Sequence, residues 1–277
     1  MSDTIPNPLE SRQSTLDGGT FTGNVGSADE NTQPTLSLEH GATVTAATAG
    51  FDSSSGVLQQ TRFSTFDVKQ SDTLNINAIG ARGGPGPGVE TVNVEPGGRV
   101  DLGVQQIFGD LTVNGGNGAR VGNFNGTISS ASATVQPDID GTGTVTLTGS
   151  LPEAGAGLAL NGAVSAGETI NLDAGSLQLN DPMRFQGTID WLPNGATFGS
   201  DFGFATTTLA GVNADSYTLN NDTLSLFQGN NDFLNLHLTN PTNAPLNVSQ
   251  GSQGVVLSQI GPQFENTTPL PIHTAMS

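Results

Sequence analysis

The chain is written in short segments whose apolar residues fall at every second position. TVTLTG (Thr144–Gly149), TINLDAG (Thr169–Gly175) and SLQLND (Ser176–Asp181) are examples. Side chains of a strand point alternately to opposite faces, so a period of two buries one face and leaves the other wet. Between the segments stand Gly, Asn and Asp, which tolerate the backbone angles of tight turns. The 38 glycines serve mostly there, and GGPGPG (Gly83–Gly88) is a stronger break that reads as a protruding loop. No stretch of a dozen residues carries the i, i+3, i+4 apolar pattern of a helix. The expected fold class is therefore all-β.

Strands recurring about every ten residues admit two architectures, a sandwich or a solenoid. Three features favour the solenoid, with the sandwich kept as the alternative. The apolar residues are mostly Val, Leu, Ile and Ala with interspersed Phe, which suits a thin core. The segments are short and nearly uniform. Asparagines recur beside the apolar pairs (Asn75, Asn93, Asn114, Asn161, Asn171, Asn180) and in a parallel coil can stack and bond from rung to rung. The spacing is irregular, so it assigns no rung length.

Residues 1–19 contain Pro6 and Pro8, lack periodicity and read as an extended arm. Residues 20–192 form the expected coil. Residues 193–262 change character: Asp222–Asn240 reads as strand, four-residue turn (Gly229–Asp232), strand, and Leu246–Gly261 as another strand pair. This segment reads as a β-rich C-terminal cap. Residues 263–277 are a proline-containing tail.

A formal net charge of −18 works against nucleic acid and anionic membranes, because phosphate binding needs clustered Lys and Arg. The basic residues, among them Lys69, Arg99, Arg120 and Arg184, stand singly along the chain. The absence of cysteine removes disulfides and thiol chemistry. The first twenty residues lack the basic and apolar regions of a secretory leader. No apolar run nears the roughly 18 residues of a bilayer span, so membrane insertion is not expected.

Motifs with catalytic overtones fail on context. DIDGTG (Asp138–Gly143) has the Asp-x-Asp of a phosphotransferase loop, but Pro137 interrupts the strand that must precede it and the required helices are missing. Asp138 and Asp140 remain the calcium candidates, though no bidentate Glu follows at the twelfth position. GGNGARVGN (Gly115–Asn123) places Arg120 where a calcium-binding repeat needs Asp. AVSAG (Ala163–Gly167) is one residue short of a nucleophile elbow and leads into a strand, not a helix. His40, His237 and His273 have no short-spaced partners. A polysaccharide lyase or hydrolase on a parallel β-helix is the enzymatic alternative. It needs converging carboxylates, and the text shows neither an Asp-Asp pair nor Gly-His-Gly. No catalytic residue and no cofactor is assigned, calcium remaining the only candidate.

The stretch GSLQLNDPMRFQGTIDWLPNGATF, with TLSLFQGNNDFLNLHL and GVVLSQIG after it, resembles a module of large bacterial surface proteins of the autotransporter and haemagglutinin-like adhesin type. The matching positions are Leu179, Asp181, Pro182, Phe185, Gly187, Thr188 and Ile189, then Asp222, Thr223, Leu224, Leu226, Leu234 and Leu238. The resemblance spans roughly residues 140–260. It implies a right-handed parallel β-helix (β-solenoid) with a β-rich C-terminal cap, a cell-surface or secreted location, and no active site. This chain is shorter than such adhesins and shows neither a cleavable leader nor an outer-membrane barrel; leaderless export would reconcile the two. The expected function is a secreted structural or adhesive protein of the bacterial surface or extracellular matrix. Its expected partners are surface glycans and further copies of itself, joined head to tail into fibres by strand addition. Apolar residues of the arm and tail, Ile5, Leu9, Leu16, Leu270 and Ile272, are the candidates for completing a neighbour's sheet.

Overall fold

The computed structural model describes residues 13–25, 35–49, 51–52, 59–60, 64–69, 73–76, 89–107, 110–129, 131–148, 156–173, 175–191, 205–239, 246–259 and 268–273. They form a parallel β-solenoid closed by an antiparallel cap. The first sheet stacks, in order, Gln13–Asp17, Thr35–Glu39, Ser64–Val68, Val89–Val94, Asp110–Gly115, Ser132–Val135, Gly157–Leu160, Gly175–Leu179 and Ala205–Ala210, all parallel. The second stacks Thr20–Val25, Thr43–Ala49, Thr73–Ile76, Arg99–Ile107, Arg120–Ser129, Gly143–Thr148, Glu168–Leu172, Thr188–Trp191 and Asn231–Thr239, also parallel. The chain passes from one sheet to the other and back, so parallel neighbours come from successive turns of the coil. A sandwich built of antiparallel hairpins is excluded.

The alternation read from the sequence becomes columns of like side chains. In the first sheet Val92, Val113, Val135, Leu160, Leu179 and Leu209 lie in register and are all buried. In the second, Val145, Ile170, Ile189 and Leu238 form one column, and Ile128, Leu147, Leu172 and Trp191 another. Burying each such side chain contributes about 1.5–3 kcal/mol. The interior is built mostly of Val, Leu, Ile and Ala, and Trp191, 1% exposed, is among its largest members.

Midway along the coil the chain gains a third, shorter side. Val100, Val121, Ile139, Val164 and Phe185 follow one another across parallel pairings and isolated bridges, and all are buried. The strands Arg99–Ile107 and Arg120–Ser129 turn the corner between this side and the second sheet, with a register irregularity between Val100 and Leu102. The Asn stacks form in part. Asn114 donates to Asn93 at 3.0 Å, Asn180 donates to Asn161, and Asn171 bonds instead to the Thr146 hydroxyl at 3.3 Å.

Parallel stacking runs beyond residue 192, through Ala205–Ala210 and Asn231–Thr239, before the direction reverses. Gly254–Gln259 and Leu246–Gln250 then close the first sheet, and Thr223–Gln228 and Ser216–Asn220 the second. The turn between Gln228 and Asn231 is two residues long, not four, because Gly229 takes φ 62° and lets the strands pair to their ends. The last described segment straps this end of the molecule. Thr268–Pro269 pairs with Ser249 and Gln250 at the edge of the first sheet, and Ile272 bridges Tyr217 at the edge of the second.

Two parts of the expected arm and tail find their partners inside the same chain. Gln13–Asp17, placed in the arm by the sequence, is the first strand of the coil, and Leu16 is buried in register with Leu38. Leu270 packs against the chain's own core and donates its N–H to the Val248 carbonyl at 2.9 Å, while Ile272 stays 68% exposed. Leu16 and Leu270 are therefore not spare strands for a neighbour. Ile5 and Leu9 lie outside the described residues, as does the GGPGPG loop.

Candidate functional site

The third side carries opposite chemistries on its two faces. Inward are the apolar residues already named. Outward, the arginines that the sequence scatters singly come together. Arg99 donates from Nη1 to Asp140 Oδ1 at 2.8 Å, and Arg120 from Nη1 to Asp138 Oδ2 at 3.2 Å. Arg184 donates from Nη2 to the same Asp138 oxygen at 2.9 Å and from Nη1 to Asp181 Oδ2 at 3.3 Å. The Arg99–Asp140 pair passes over an intervening rung at Gly122. A Cβ there would stand 1.9 Å from Asp101 Oδ1 and 2.6 Å from Arg99 Cζ, so the glycine leaves the gap through which the ion pair reaches.

These carboxylates also finish the backbone pairing where the coil turns corners. Asp138 Oδ1 accepts the Ala163 N–H at 2.8 Å, Asp101 Oδ1 accepts that of Asn123 at 2.8 Å, and Asp110 Oδ1 accepts that of Ser132 at 3.0 Å. Asn123 and Asn125 do the same for Thr142 and Thr144. Backbone N–H groups in a coil need acceptors, and at these corners side chains supply those that the neighbouring rung's carbonyls do not. Asp138 and Asp140, the calcium candidates, are thus held by guanidinium and amide donors. No group of three or more Asp, Glu or His side chains arranged for a metal occurs among the described residues.

The ladder ends at a cleft. The short 3₁₀ turn Pro182–Arg184 faces the cap, and between them opens a cavity of about 410 Å³. Asn180, Asp181, Met183, Asn213, Gln228 and Phe233 supply its character. Three amides and a carboxylate offer donors and acceptors, while Phe233 and the 59%-exposed Met183 offer apolar surface. Among the described residues no Lys or Arg lines it. The volume suits a small ligand or one or two units of a polymer, and the lining suits an uncharged, hydroxyl-rich one.

Inside the coil lies a residue that the motif reading passed over. Glu168 opens the strand Glu168–Leu172 on the same inward parity as Ile170 and Leu172, and it is fully buried. Neither carboxyl oxygen has a hydrogen-bond partner. Burial alone pushes its pKa from 4.5 up to about 8, since a buried charge without a partner is costly. The signal was in ETINLD: a period of two puts the Glu on the apolar face.

The remaining sequence candidates are dispersed. His40 sits in a tight turn at φ 54° and bonds to Asp17. His237 lies in the strand Asn231–Thr239, and His273 stacks on Phe227 with ring centroids 4.1 Å apart while sharing a 3.1 Å hydrogen bond with Ser216 Oγ. In AVSAG, Val164 is an inward residue of the third side and Ser165 donates its hydroxyl to the Gly141 carbonyl at 2.6 Å.

The fold and this geometry define the class, a capped parallel β-solenoid. Comparison with known proteins finds no matching family model, no matching curated protein and no matching solved structure.

Proposed function

We propose that the chain is a structural or adhesive β-solenoid of the bacterial cell surface or extracellular matrix, and that its adhesive contact is a neutral saccharide held in the cleft at the capped end. The observation that carries this reading is the lining of that cleft. The remaining donors and acceptors of these amides and of the carboxylate can take sugar hydroxyls, and Phe233 and Met183 can cover the apolar face of a ring. The net charge of −18 and the lack of a lining cation disfavour acidic glycans.

A coil suits this role because it is an extended spacer whose rungs hold one another. Its C-terminal end is closed by antiparallel strands and by a strap containing Pro269 and Pro271, and proline blocks strand addition. Strand addition between copies in this reading belongs to the other end, where Gln13–Asp17 and Thr20–Val25 each stand last in their sheets among the described residues.

Titration calorimetry with neutral and acidic oligosaccharides tests the proposal. Saturable binding of a neutral sugar, lost in Phe233→Ala and in Asn213→Ala, is the expected result. Binding that survives both variants, or none across the neutral set, rejects the cleft as the adhesive site. Concentration-dependent sedimentation separately tests association between copies.

A further inference from the structure

Glu168 belongs neither to the cleft nor to the ladder, and its surroundings are specific. One rung before it, in register, is Gly143; on the other side, just ahead of the Thr169–Thr188 pair, is Gly187. Both glycines lack room for a side chain. A Cβ on Gly143 would meet the Phe124 carbonyl oxygen at 2.2 Å and Glu168 Oε2 at 2.9 Å. A Cβ on Gly187 would meet the Glu168 carbonyl oxygen at 2.8 Å, Phe185 Cζ at 3.1 Å and Val164 Cγ1 at 3.3 Å. The carboxyl group thus fills the niche that Gly143 leaves open, and Gly187 lets the next rung close over the Glu168 backbone.

Among the described residues no charge reaches into that niche. The inward residues of the elements around it are Val145, Ile170, Ile189, Val164, Phe185 and Ile139, none of them titratable. Asp138, Asp140 and Arg184 on the third side, and Asp173 and Asp190 on the strand ends, stand at outward, solvent-reached positions. Among the described residues Glu168 is the one ionisable side chain that is buried.

We propose that Glu168 is a proton-controlled lock on the middle of the solenoid: the neutral carboxyl seals the niche, and the rungs around it open more readily as that proton is lost. The direction follows from linkage. The folded form holds the proton up to about pH 8, whereas an opened or unfolded chain releases it near 4.5. Between those values opening releases a proton, so the closed form weakens up to about tenfold per pH unit as pH rises. Below that window both forms are protonated and above it both are ionised, so the dependence flattens. The coil is tightest in mildly acidic medium and loosens toward alkaline.

Amide hydrogen exchange across pH 5–9, corrected for intrinsic exchange, reads this directly. The strands Gly143–Thr148, Glu168–Leu172 and Thr188–Trp191 should lose protection with rising pH in the native chain and not in Glu168→Gln. Equal pH dependence in both proteins, or none in the native chain, overturns the proposal. Should Glu168→Gln not fold, carbon-13 NMR titration of the Glu168 carboxyl in the native chain decides instead. A midpoint near 8 supports the lock and one near 4.5 refutes it.

Discussion

Carboxylates meet this coil in two ways, on the two faces of one corner. Outside, Asp138 and Asp140 each face guanidinium groups, and Asp138 also finishes the backbone pairing of Ala163. Inside, Glu168 is fully buried and neither of its carboxyl oxygens has a hydrogen-bond partner. The outer carboxylates have water and arginine as partners; the inner one has neither, and burial holds its proton on well above the usual carboxylate range. The difference comes from parity alone. In a thin coil every second position is interior, and a parallel stack offers the interior no cation unless another rung contributes one.

The largest effect should come from crowding the niche. Gly143→Ala drives a Cβ against the backbone oxygen of Phe124, which cannot rotate away, and should cost about 3 kcal/mol or more, measured by chemical denaturation. Next comes the charge itself. Folding takes up a proton at Glu168 between about pH 4.5 and 8, so this residue's contribution declines through that window. Glu168→Gln removes the dependence, and its stability relative to the native chain should improve by about 3 kcal/mol on going from pH 4.5 to 7. Denaturation curves at the two pH values check this, and an unchanged difference would sink it.

On the outer face the effects shrink. Asp138→Ala strands the Ala163 N–H and removes one partner each from Arg120 and Arg184; about 1–2 kcal/mol should be lost. Asp140→Asn weakens a pair whose Arg99 side chain is 44% exposed, so the loss should stay below about 1 kcal/mol. It should vanish in roughly 1 M salt. An outer variant as costly as Gly143→Ala would erase the contrast between the faces.

Much of the fold was legible because it rests on local signals. Alternation gave the strands, glycine and asparagine gave the turns, and Leu246–Gly261 announced its hairpin; the turn at Gly229 proved tighter than it looked, and the coil starts inside the expected arm and runs on past residue 192. The third side was not legible. Arg99 and Asp140 are 41 positions apart and Arg184 and Asp138 are 46 apart, and only the register of an irregular coil makes them neighbours. The cleft depends on how the cap returns toward Asp181 and Met183, which no single segment encodes. Glu168 was readable in principle, since ETINLD places it with Ile170 and Leu172, yet a charged residue at a strand's start is ordinarily a solvated one.

Everything here depends on parallel register between successive turns. The chain has no cysteine, so engineered pairs report without background. Thr146, Asn171 and Asp190 occupy consecutive rungs of the second sheet, in register and half-exposed. Adjacent rungs lie about 4.8 Å apart, within disulfide reach, and alternate rungs roughly 10 Å apart, beyond it. Oxidation should join Thr146→Cys to Asn171→Cys, and Asn171→Cys to Asp190→Cys, but should leave the Thr146→Cys/Asp190→Cys pair reduced. Crosslinking of that last pair alone, or of none, would contradict the solenoid.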